Sequence, residues 1–169
     1  GVPSAVWAWG NGNYGALGQG NTTTYSSPVQ VGALTDWAIV ASSSHGLAVK
    51  TDRSLWSWGK NQFGALGNGN TTNTSSPVQI GALTTWATVG SNEYHSAAIK
   101  TDGTLWAWGW NTKGQLGQNN TTSYSSPVQV GALTTWATPI GGTQFMAALK
   151  TDGTLWTWGS GADGRLGHG

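Results

Sequence analysis

The sequence predicts an all-β fold, an arc of a β-propeller made of four-stranded antiparallel blades, on three observations. A Trp-x-Trp-Gly motif recurs at Trp7 to Gly10, Trp56 to Gly59, Trp106 to Gly109 and Trp156 to Gly159, spaced by 49, 50 and 50 residues. Each period carries short β-prone segments bounded by turn residues, and none shows apolar residues at helical spacing over the ten or so positions a helix needs. A unit of roughly 50 residues with four short strands cannot cover both faces of its own sheet, so neighbouring sheets must stack face to face.

The period continues beyond its tryptophans. Gly-x-Leu-Gly follows at Gly15 to Gly18, Gly64 to Gly67, Gly114 to Gly117 and Gly164 to Gly167, and the first three copies go on to Asn-Thr-Thr and Ser-Ser-Pro-Val-Gln or its near equivalent. Residues 1–169 read as one array, with repeats at 6–54, 55–104 and 105–154 and a partial copy at 155–169. Within one copy, segment a is Trp86 to Val89, b is His95 to Lys100, c is Leu105 to Trp108 and d is Pro127 to Val130. Asp102-Gly103 between b and c is a hairpin signal, because glycine takes positive φ without steric cost. Arg53 stands at the first copy's glycine position, which predicts a turn of another type or a strained one.

Composition narrows the function classes. Only 8% of the residues are charged and the net charge is +1, so no electrostatic footprint for DNA, RNA or an anionic membrane exists and no nucleic-acid partner is expected. The absence of cysteine excludes disulfides, thiolate metal sites and a cysteine nucleophile. No apolar run approaches the roughly 20 residues of a membrane span. Six of the charged residues belong to a repeated Lys-Thr-Asp unit (Lys50, Asp52, Lys100, Asp102, Lys150 and Asp152), whose aspartates are expected to cap their turns. His45 and His95 occupy equivalent places in segment b and are expected to make structural hydrogen bonds. Glu93 is the only glutamate. With no nucleophile elbow, phosphate loop or zinc-protease motif, neither catalytic residues, metal ligands nor cofactors are expected. Asn21, Asn70, Asn73, Asn119 and Asn120 begin glycosylation sequons, and glycosylation stays open.

Trp106 to Gly117, His95 to Gly103 and Ser126 to Gln129 together resemble the regulator of chromosome condensation repeat family, and the resemblance covers essentially the whole chain. Two departures are Ser42 to Ser44, where the family is glycine-rich, and Phe145, where it has histidine. The resemblance implies a propeller, commonly of seven blades, but no single activity. Members include a nucleotide exchange factor for a small GTPase, ubiquitin-ligase domains and protein inhibitors of β-lactamases. No functional residue of theirs is carried over.

In an up-and-down blade, loops a–b and c–d leave one edge, and here they hold the residues that vary between copies. The variable positions supply the candidate ligand-binding residues Tyr14, Lys60, Phe63, Glu93, Tyr94, Trp110 and Lys113. Aromatics of this kind are enriched at interaction hot spots, with the charged residues adding discrimination. Tyr14 and Phe63 could equally plug gaps between blades. The expected function is a non-catalytic binding or structural module holding a protein or glycan, in an extracellular or virion-surface setting, with a propeller enzyme or exchange-type regulator as the alternative. The strand count predicts two whole blades and two incomplete ends, completed by a homo-oligomer or by the remainder of a longer propeller.

Overall fold

The computed structural model describes residues 4–167, which form thirteen strands in four antiparallel sheets. Blade one pairs β1 (Trp7–Gly10) with β2 (Tyr25–Gln30). Blade two runs β3 (Trp37–Ser42), β4 (His45–Lys50), β5 (Leu55–Gly59), β6 (Thr74–Gln79), and blade three runs β7 (Trp86–Ser91), β8 (His95–Lys100), β9 (Leu105–Gly109), β10 (Tyr124–Gln129). Blade four joins β11 (Trp136–Gly141), β12 (Phe145–Lys150) and β13 (Leu155–Gly159). The helical content of the described residues is two short 3-10 turns, Asn13–Gly15 and Ala162–Gly164. Two whole blades and two incomplete ends are therefore what the strands form.

The core lies between the sheets. Alternate side chains of a strand point to opposite faces, and β8 uses both: Ala98 faces blade two while Ala97 and Ile99 face blade four. Leu47, Val49, Leu55 and Ile80 of blade two thus pack against Trp86, Val89 and Trp108 of blade three. The next junction repeats the scheme with Leu105, Leu116, Trp136 and Met146. On the uncovered ends the same positions lie open, with Trp7 and Trp9 54% and 60% exposed and Leu155 61% exposed, whereas Leu105 is fully buried.

From blade two onwards, the second tryptophan of the motif ties each blade to the one before it. The Nε1–H of Trp58 donates to the Ala16 carbonyl at 3.1 Å, that of Trp108 to Ala65 at 2.9 Å and that of Trp158 to Gln115 at 3.0 Å. Each acceptor sits in the Gly-x-Leu-Gly turn of the preceding blade. The last glycine of that turn is sterically required: a Cβ on Gly67, at φ +77°, would lie 2.7 Å from the Trp108 indole nitrogen. The first tryptophan is braced within its own blade. Trp106 Nε1 donates to Thr104 Oγ1, which donates in turn to Asp102, and the same relay runs through Ser54 to Asp52 and through Thr154 to Asp152. These aspartates also accept from the backbone N–H two residues on, so they cap their turns.

The strands for segments a and c run on to Ser91 and Gly109, past the Val89 and Trp108 expected from the sequence, and segment d differs at both ends. The fourth strand begins at Tyr124, ahead of Pro127, and ends at Gln129. Its pairing passes from Tyr124 opposite Gly109 to Val128 opposite Ala107, a bulge that accommodates a proline with no N–H to donate. The Arg53 turn is the same type as its glycine counterpart, since Arg53 and Gly103 donate equivalently to Lys50 and Lys100. Arg53 reaches that geometry at φ +66°, so strain is the alternative the chain adopts.

Trp108→Ala should destabilise the fold by about 3–5 kcal/mol, while Trp108→Phe should cost less because most of the apolar contact survives; chemical denaturation measures both. Arg53→Gly should stabilise by about 1 kcal/mol by relieving the left-handed backbone. Gly103→Arg should do the reverse and by more, because a Cβ there would meet the Thr134 carbonyl at 2.0 Å. Equal melting temperatures for the Arg53→Gly and parent proteins would show that no strain is stored.

Candidate functional site

The loops of the variable edge are held by asparagines. Asn61 is fully buried; its amide nitrogen donates to the carbonyls of Asn70 and Thr72 while its Oδ1 accepts from Leu66 N–H at 2.9 Å. Asn111 repeats this with Asn120, Thr122 and Leu116. The Asn-Thr-Thr segments close on themselves, with Asn21, Asn70 and Asn120 each accepting from the N–H two residues on. On the a–b side, Asn92 Oδ1 accepts from the N–H groups of Tyr94 and His95. Side chains projecting from these loops therefore start from fixed backbone.

Three of them form one aromatic cluster across the junction of blades two and three. Phe63 stacks on Trp110 with centroids 5.8 Å apart and meets Tyr94 edge-on at 5.6 Å, and Tyr94 meets Trp110 at 5.5 Å. Lys60 extends the cluster. Its ammonium lies 4.6 Å from the Tyr94 ring centroid, 5.5 Å from that of Tyr14, and 3.1 Å from Glu93 Oε1. Hydrogen bonds from the Tyr94 hydroxyl and from Lys60 hold the Glu93 carboxyl below the usual range, and the same bond to Glu93 raises the Tyr94 hydroxyl. Six of the seven residues singled out in the sequence thus converge, with Tyr14 53% exposed at the rim.

Lys113 does not join them. It shares the β9–β10 loop with Trp110 but is exposed on the side towards blade four, beside Gly114, Asn119, Asn120 and Trp158. Phe63 is both plug and surface, bridging two blades while remaining partly exposed. A pocket of about 330 Å³ adjoins the cluster, and its floor adds Gln62, Thr143 and Gln144, which the sequence reading did not single out. They lie within the variable stretches, but an uncharged amide or hydroxyl carries no distinguishing sequence signal.

Beneath this face sit two buried histidines. His45 Nε2 lies 2.7 Å from Ser96 Oγ, which donates to the Ala65 carbonyl, so the imidazole donates through Nε2 and Nδ1 is left without a partner. The Asn92 amide nitrogen lies 2.7 Å from His95 Nε2. Burial pushes the His45 pKa down to about 4, and burial together with the neighbouring His45 does the same for His95. Both are hydrogen-bonded parts of the blade junction. Among the described residues no three His, Cys, Asp or Glu side chains come together as a metal site.

The family model described as the regulator of chromosome condensation (RCC1) repeat matches residues 4–49, 52–99 and 102–149, and a second model of the same repeat matches 38–65 and 86–115. No curated protein matches the sequence. Among solved structures, human WBSCR16 superposes with a TM-score of 0.85 at 23% identity, over 98% of this chain and 46% of that one. Yeast RCC1 (Prp20) bound to Kap60 gives 0.77 at 22% identity, over 99% and 43%. Prp20p from Saccharomyces cerevisiae, reported with its binding properties to Gsp1p and histones, gives 0.77 at 23% identity, over 99% and 44%. The chain thus spans less than half the length of these propellers, and at these identities the likeness is one of fold.

The buried histidines make stability depend on pH. Unfolded histidine titrates near 6.5 and these two near 4, so between those values the unfolded chain binds protons that the folded chain does not. Their contribution is complete above pH 6.5 and is lost as pH falls towards 4, by an order of 3 kcal/mol per histidine. The melting temperature should accordingly decline from pH 6.5 to 5, and His45→Gln should flatten the decline; an unaltered slope in that variant would exclude His45 as its source.

Proposed function

Because the chain belongs to the regulator of chromosome condensation repeat family, we propose that it is a non-catalytic binding module that holds a protein partner on its variable loop face. The observation that carries this reading is the convergence of Phe63, Tyr94 and Trp110 with the Lys60–Glu93 pair. Half-buried aromatics pre-packed against one another lose little side-chain freedom on binding, and a charged pair at their rim supplies discrimination. The yeast relative's reported binding to Gsp1p and histones supports a protein as the ligand class. A glycan is the second reading, favoured by the pocket in which aromatic rings adjoin Gln62, Thr143 and Gln144. The low charge fits an extracellular or virion-surface setting. The uncovered sheets at both ends of the arc fit completion of a ring, by further repeats or by a second copy.

A protein array and a glycan array, each probed with the 169-residue chain, separate the two readings. For any binder found, Trp110→Ala and Tyr94→Ala should each cost about 2 kcal/mol, a roughly thirtyfold loss of affinity, with the fold intact. Lys113→Ala should change little. Unchanged affinity in both aromatic variants would move the site off this face.

A further inference from the structure

The opposite edge of the blades repeats itself almost residue for residue, and one of its differences, Asp36 where the later copies have Thr85 and Thr135, bears on a second site, independent of the loop face. Between blades one and two, the Lys50 ammonium lies over the rings of Trp56 and Trp37, at 4.1 and 5.2 Å, and pairs with Asp36 Oδ2 at 3.4 Å. Lys100 takes the same place one blade on, 3.7 Å from the Trp106 centroid and 5.1 Å from that of Trp86. Here the residue equivalent to Asp36 is Thr85, and among the described residues Lys100 has no carboxylate within ion-pair distance. Asp102, which feels the lysine's charge, is already engaged by the N–H and hydroxyl of Thr104.

A groove of about 390 Å³ opens at this point, lined among others by Lys100, Trp86, Trp106, Leu83, Pro127 and Asn68. Trp86 is 3% exposed and its indole N–H has no acceptor. The groove therefore holds an ammonium kept in place by two rings, and its wall includes Trp86, whose buried indole donor is left without a partner. An unsatisfied buried donor and an unneutralised cation both gain from a carboxylate. Tethered to its own backbone, Asp36 reaches Lys50 but leaves Trp37 Nε1 unpartnered. A carboxylate entering through the groove is free of that restraint. The volume exceeds that of a lone carboxylate, and the Leu83 and Pro127 walls offer apolar contact to flanking residues.

We propose that this groove binds an acidic peptide segment of a partner protein, with one Asp or Glu carboxylate between Lys100 Nζ and Trp86 Nε1. The test follows the indole ¹⁵N–¹H resonance of Trp86 in the full chain during titration with acetyl-Ala-Ala-Asp-Ala-Ala-amide, its Asn counterpart and acetate. The Asp peptide should shift that resonance saturably and bind at least tenfold more tightly than the Asn peptide. Thr85→Asp, which copies the Asp36 arrangement and keeps Lys100 and its rings, should weaken binding at least tenfold, as should Lys100→Gln. Thr135→Asp, at the equivalent place beyond the groove, should not. The proposal is overturned if the Trp86 resonance does not move, if the Asp and Asn peptides bind alike, or if the Thr85→Asp protein binds as the parent does. Acetate binding as tightly as the peptide would overturn the peptide assignment and mark a site for small carboxylic acids.

Discussion

The arc depends on one hydrogen bond made three times, from the indole N–H of Trp58, Trp108 and Trp158 to a carbonyl of the preceding blade. Apolar burial between sheets is non-directional and would tolerate sliding. A buried indole donor would not, because displacing it from its acceptor leaves a polar group unsatisfied at about 1–3 kcal/mol. The bond therefore sets the register between blades. The glycine whose missing Cβ admits the indole belongs to the same turn as the acceptor, so Trp-x-Trp-Gly in one blade and Gly-x-Leu-Gly in the one before it act as the two halves of a joint.

That joint explains what could be read in advance. Its two motifs recur at a fixed period, so strand number and blade order follow from counting. The d strand was less legible because Pro127 looks like a beginning, while the bulge that lets Tyr124 pair with Gly109 leaves no trace in composition. Asn61 and Asn111 were passed over as loop residues although each pins a whole loop. The lysine of Lys-Thr-Asp was likewise read as part of a turn unit, and its seat over two tryptophan rings became visible only once the chain closed on itself.

The candidate loop site shows the same division. Variation between copies located the face, since a rigid repeat concentrates its differences where packing does not dictate the residue. It could not state which variable residues touch. Phe63, Tyr94 and Trp110 come from three loops on two blades, and their contact depends on the angle between those blades, whereas Lys113, in the same loop as Trp110, lies on the side towards Trp158. The opposite edge is instructive for the contrary reason: where nearly everything repeats, Asp36 stands out against the Thr85 and Thr135 of the later copies.

Joints that link only adjacent blades also shape how cooperative the molecule is. Each blade couples to its neighbours and to nothing beyond them, so the arc approximates a one-dimensional chain of coupled units. Local opening is therefore governed joint by joint, and the joint between blades two and three is the one that holds both the aromatic cluster and the lysine groove in place.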